Sequence, residues 1–202
     1  MIKKILSPLA LGATLTLAGG GYALADSQYG QGPGSGTGSI TAQASVKLSV
    51  TVPKLILLRV GGSTTTPDTV TWTTAFSIPA APTAAVDGNN TAVNWNGALP
   101  TATVTPTNDT LTVYAWTNAN TGSINCAVPS MTPAGGPANA DFTVTVTGTL
   151  PHPGANLGTC TSTNFGSNTI ATGTWKYVLG GTAANWKAGT YTGTVLYTAT
   201  GV

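Results

Sequence analysis

The sequence predicts an all-β protein, a sandwich of about eight to ten short strands. Three observations carry that prediction. Apolar and polar residues alternate with period two in segment after segment, the pattern of a strand with one dry and one wet face. Beyond residue 25 no stretch of useful length shows the 3.6-residue period of an amphipathic helix. Threonine, β-branched and suited to pleated surfaces, recurs throughout, and clusters of Gly, Pro, Asn and Asp punctuate the chain.

Residues 1–25 read as an export signal. Lys3 and Lys4 precede an apolar run from Ile5 to about Ala18, and Ala23-Leu24-Ala25 offers a cleavage site before Asp26. The run is broken by Ser7, Pro8, Thr14 and Thr16 and is short for a membrane span, and no later segment is apolar enough for one. Residues 26–38, rich in Gly, Ser and Gln, have nothing to bury and read as a flexible leader. Residues 39–202 are expected to form a single sandwich domain.

That domain opens on residues 39–52, which alternate without error. Ile40, Ala42, Ala44, Val46, Leu48, Val50 and Val52 are apolar, and every residue between them is polar. At ~3.3 Å per residue this long strand would span roughly 46 Å, well beyond the usual strand. After Pro53, residues 55–60 are nearly all apolar, which fits a strand buried on both faces and ended by Gly61-Gly62. Val70, Trp72, Phe76 and Ile78 share one parity, opposite Thr69, Thr71, Thr73 and Ser77. Val93 with Trp95 suggests a short strand, and residues 102–105 another that stops at Pro106.

Residues 111–116 carry large side chains on both faces, as a central strand does. Further strands are expected at 124–128, at 142–147, where Phe142, Val144 and Val146 alternate with threonines, at 170–179, and at 191–199. Such a set suits an immunoglobulin-like or jelly-roll-like sandwich.

Charge and residue supply narrow the function. Without the signal the chain keeps five cations (Lys47, Lys54, Arg59, Lys176, Lys187) and five aspartates, for a net charge of zero, and it has no glutamate. Only 6% of residues are charged, against about 25% in ordinary proteins. This surface gives no electrostatic footprint for nucleic acid or an anionic membrane, and it lacks the charge that keeps monomers apart.

Cys126 and Cys160, the only two cysteines, favour a disulfide over free thiols in an exported chain. The sole histidine, His152, sits between Pro151 and Pro153 and reads as an exposed loop residue. The aspartates fall mostly in turn contexts. No catalytic residue, metal site or cofactor is therefore expected, and the chain reads as non-enzymatic. Of the five tryptophans, most share strand parity with aliphatic residues and read as core. Trp186, in the loop before Lys187, is the expected exposed aromatic and a candidate ligand contact.

The closing segment 188–200, AGTYTGTVLYTAT, resembles the last strand of bacterial pilus subunits of the chaperone–usher kind, including spore-coat-U-like pilins. The resemblance implies a sandwich lacking one strand and completed by strand exchange. Its groove would be filled first by a periplasmic chaperone and then by the N-terminal segment of the next copy of the same chain, with an outer-membrane assembly protein exporting the polymer. By parity the seven apolar residues Ile40 to Val52 would insert. The cysteines lie later than the disulfide of many such pilins, and the donor candidate begins 13 residues after the signal, so a strand kept in its own domain is the competing placement. The function expected is thus a secreted structural subunit of a surface pilus, or fimbrial filament. The alternative is a monomeric secreted module for adhesion to carbohydrate or another surface ligand.

Overall fold

The computed structural model describes residues 28–32, 34–62, 65–80 and 83–202; the expected signal, residues 1–25, lies outside them. The chain divides into two units, residues 1–51 and 52–202. The second unit is all-β, a sandwich of three antiparallel sheets, with ten strands among the described residues.

The largest sheet contains β1 (Ile56–Val60), β5 (Thr110–Thr117), β9 (Ala171–Leu179) and β7 (Phe142–Gly148), in that order. A second contains β10 (Leu196–Gly201), β6 (Gly122–Ala127) and β8 (Thr163–Phe165). A third contains β3 (Thr83–Ala84), β2 (Thr71–Ile78) and β4 (Thr101–Thr107).

The core forms where the inward parities of these sheets meet. Val113 and Ala115 of β5, Phe142 and Val144 of β7, and Trp175 and Tyr177 of β9 pack with Ile124 of β6 and Phe165 of β8. Trp72 of β2 joins edge-on to Phe142, with ring centroids 5.2 Å apart. Leu150, fully buried, closes one end, and its carbonyl accepts a hydrogen bond from Trp175 Nε1 at 3.1 Å. The buried indole therefore keeps a partner for its one donor.

Sheet position explains where the sequence expectations err. Residues 56–60 are not buried on both faces: Ile56, Leu58 and Val60 are half-buried, whereas Leu57 and Arg59 are exposed. β1 is an edge strand, and its outward residues Leu57 and Arg59 are exposed. β4 does not stop at Pro106 but runs through it to Thr107. It too is an edge strand, with only β2 beside it, so the missing N–H of proline can face away from the ladder.

Among the described residues Val93 and Trp95 form no strand; Trp95 makes an isolated bridge to Ala80. The last strand begins at Leu196 rather than 191, and the stretch before it contributes one bridge, Thr132 to Thr192. Alternation alone cannot tell a strand from a stretch with the same parity and no ladder partner.

Candidate functional site

The segment whose alternation is most regular is the least covered. Residues 39–52 form no strand or bridge among the described residues, and all are exposed. The expected long strand is thus absent as a strand in the single chain. Its larger apolar side chains stand in solvent: Ile40, Val46, Leu48, Val50 and Val52 are 61–85% exposed, and Ala42 and Ala44 are exposed with them. A strand exists only as part of a ladder, so strand-like alternation without a ladder leaves a whole apolar face uncovered.

A second incomplete feature lies within the sandwich. β1 ends one side of the four-stranded sheet and β10 ends one side of a three-stranded sheet, and no ladder joins them. The start of β1 meets the end of β10: a Cβ placed on Gly201 would lie 3.7 Å from Ile56 Cδ1 and 2.9 Å from Thr117 Oγ1. The inward residues of both strands, Ile56, Leu58 and Val60 on one and Tyr197 and Ala199 on the other, are only half-buried. Inward residues of the adjoining strands, such as Val113, Ala115 and Ile124, are fully buried. The seam between β1 and β10 is where the core is thinly covered.

The chain before β1 is fixed by Asn118. Its Oδ1 accepts from the Leu55 N–H at 2.7 Å, and its Nδ2 donates to the Pro53 carbonyl at 2.7 Å. Thr117 Oγ1 donates to the Leu55 carbonyl at 2.9 Å. These side chains supply the backbone partners that residues beyond a strand end would otherwise lack.

β10 is held from within by a polar relay. His152 is not an exposed loop residue; only 7% of it is accessible. Its Nδ1 lies 2.6 Å from the Gly154 carbonyl and its Nε2 lies 2.8 Å from the Tyr197 hydroxyl. The Tyr197 hydroxyl also lies 2.8 Å from that of Tyr177. A carbonyl can only accept, so Nδ1 carries the proton of the neutral ring and Nε2 accepts from Tyr197. Tyr197 in turn accepts from Tyr177.

The imidazole also packs edge-on to Trp175, with ring centroids 4.8 Å apart. Burial lowers the His152 pKa from its ordinary value, against a smaller upward pull from the Gly154 hydrogen bond. Burial raises the pKa of Tyr177 to about 12, tempered by its bond to Tyr197. Tyr197 is raised as well, by burial first and then by neighbouring Tyr177. Sequence reading missed this relay. The available signal was the parity of Tyr197, which points its hydroxyl inward with Val195 and Ala199 and so requires a buried partner.

The other candidate residues fall apart from one another. Cys126 and Cys160 form a disulfide, with Cα atoms 5.3 Å apart, tying β6 to the loop before β8. Trp186 is half-buried at the end of a 3₁₀ turn, Ala183–Asn185. The exposed tryptophan is instead Trp95, at 59%, with its Nε1 donating to the Ala98 carbonyl. Among the described residues no three His, Cys, Asp or Glu side chains gather as a metal site, and no helix is long and apolar enough to cross a membrane. Comparison with family models, with curated proteins and with solved structures gives no match to this chain.

Proposed function

We propose that this chain is a non-enzymatic structural subunit of an extracellular filament, a pilus in kind, exported through the periplasm and polymerised by lending residues 39–52 to a neighbouring copy. One observation carries this reading: seven apolar residues of a single parity stand exposed in a segment that forms no strand. The seam between β1 and β10, which no ladder bridges and whose inner faces are half-covered, supports this reading as the edge such a strand would join. Adding it would satisfy backbone groups along an edge while alternate side chains fill the core.

The energetics suit assembly. Burying the five larger side chains, at about 1.5–3 kcal/mol each, would contribute roughly 8–15 kcal/mol before the costs of association. Backbone ladder bonds add about 0.5–1.5 kcal/mol apiece. A chain so poor in charge offers little repulsion between copies. An uncovered seam is also an aggregation hazard before assembly, so a periplasmic chaperone and an outer-membrane assembly protein fit as partners.

The test is deletion of residues 26–52, followed by size-exclusion chromatography and electron microscopy. The shortened subunit should stay folded when supplied with a synthetic peptide of residues 39–52, and it should no longer form fibres. A full-length subunit that stays monomeric, with the amides of 39–52 protected from exchange in its own domain, would overturn the reading.

A further inference from the structure

The strongest unassigned feature is a polar cleft at the end of β1 farthest from Gly201. It has a volume of about 340 Å³ and is bordered by Arg59, Asp68, Asn108, Thr110 and Thr112. In a chain with only five cations and five anions beyond its signal, a cation and an anion share this one cleft. They do not neutralise each other: among the described residues no ion pair joins them.

Each charge is instead pinned to backbone. Arg59 Nε donates to the Gly61 carbonyl at 3.0 Å, and its guanidinium sits 4.8 Å above the ring of Tyr114, its cross-strand partner. Asp68 Oδ2 accepts from the Gly62 N–H at 2.5 Å. Gly61 makes this possible twice over. Its φ of +86° is costly for a residue with a side chain, and a Cβ there would collide with the Asp68 carboxylate. Among the described residues no hydrogen bond engages the outer nitrogens of the guanidinium fork or Asp68 Oδ1. Thr69, Thr110, Thr112 and Asn108 complete the lining; the Thr110 hydroxyl donates to Asp109 Oδ1 at 2.9 Å and keeps its lone pairs to accept from a ligand.

We infer that the cleft formed by Arg59, Asp68, Asn108 and the threonines around them binds an acidic saccharide, a sugar ring bearing a carboxylate. The guanidinium fork matches a planar carboxylate with two parallel hydrogen bonds. Asp68 accepts from ring hydroxyls, and the threonines and Asn108 satisfy the others, since hydroxyls and amides both donate and accept. A free amino acid would also set a carboxylate on Arg59 and an ammonium on Asp68, but it has no hydroxyls for the rest of the lining. The volume lies at the low end of small-molecule sites and suits one sugar unit. Arg59 projects from the face of β1 opposite Ile56, Leu58 and Val60, so this site is independent of strand exchange at the seam.

The experiment is two-dimensional amide NMR and calorimetry on the full subunit with galacturonate, galactose and glycine as probes. Galacturonate should shift the amides of Gly61, Gly62 and Thr112, and galactose should bind more weakly. Arg59→Gln should weaken galacturonate binding at least about tenfold, the loss expected for a charge-assisted pair. Asp68→Asn should weaken both sugars. Near-ultraviolet circular dichroism of the buried Trp175 confirms that each variant is folded. The inference is overturned if galacturonate leaves those amides unmoved, if glycine binds as well as galacturonate, or if folded Arg59→Gln keeps the parent affinity. None of these results bears on fibre formation, so the two readings fail separately.

Discussion

His152 Nε2 accepts a hydrogen bond from the Tyr197 hydroxyl across 2.8 Å, linking the loop after β7 to the last strand of the sandwich. Because Nδ1 holds the proton of the neutral ring against the Gly154 carbonyl, Nε2 can only accept, and Tyr197 is its donor. Tyr197→Phe should therefore cost about 1–3 kcal/mol, the penalty of leaving a buried acceptor unpaired. Tyr177→Phe removes only the end of the relay and should cost about 0.5–1.5 kcal/mol, the net worth of one bond. Urea unfolding of the two variants tests the order; a costlier Tyr177→Phe would refute this relay direction.

The same ring makes folding sensitive to acid. The folded pKa of His152 is depressed, so its contribution is complete above the unfolded value of about 6.5. As pH falls through that value the unfolded chain takes up a proton that the folded chain refuses, and stability declines until the lower folded pKa is reached. The chain has one histidine, so a slope beginning near 6.5 belongs to His152. Melting temperature measured against pH should show it, and His152→Gln should flatten it. An unchanged slope in that variant would assign the effect elsewhere.

Gly122 pairs with Phe165 across β6 and β8, and a Cβ on it would lie 2.3 Å from the phenyl ring. Gly122 is buried, as is Phe165, so neither has room to move aside. Gly122→Ala should destabilise by about 1–3 kcal/mol, the usual cost of overpacking. Denaturant midpoints measure it directly, and a neutral result would mean that β8 shifts freely.

The Cys126–Cys160 disulfide closes a loop with a sequence separation of 34. In the chain-entropy picture such a loop is worth roughly 3–4 kcal/mol. Cys126 is also the ladder partner of Tyr197, so the bond braces β6 where it supports the relay. The Cys126→Ser, Cys160→Ser double variant should unfold at lower urea by about that free energy. A loss below about 1 kcal/mol would show that the unfolded chain is already compact there.

Much of this architecture is legible from period and punctuation. The alternation of Phe142, Val144 and Val146 and the two-faced bulk of residues 111–116 place β7 and central β5 correctly, since both depend on local pattern and burial together. What pattern cannot supply is neighbourhood. Leu57 looks like core by composition but lies on the outer face of the four-stranded sheet, where Tyr114 and Val178 of the central strands are exposed too, and it is 56% exposed. His152 looks like a loop residue between two prolines but is drawn inside by a hydroxyl 45 positions away. Trp186 and Trp95 exchange roles for the same reason: exposure is set by which strands come to lie beside a loop. The cysteine pairing was legible because two cysteines admit one pairing.

Parity provides the sharpest test of the lent segment. Leu48 and Lys47 are neighbours on the chain and both open to solvent in the single subunit. Substituting either should leave the subunit's own stability within about 0.5 kcal/mol, as for surface residues generally. In a ladder they point to opposite faces. Leu48→Asp would bury an unpaired carboxylate in the neighbour's core, a cost of several kcal/mol that erases much of the assembly energy. Lys47→Asp would place its charge on the wet face and leave assembly intact. Sedimentation and electron microscopy should therefore find fibres with Lys47→Asp and monomers with Leu48→Asp, and Val46→Asp should behave as Leu48→Asp does. Equal behaviour of Lys47→Asp and Leu48→Asp would mean that residues 39–52 act as a tether, with no face of theirs entering a neighbouring sandwich.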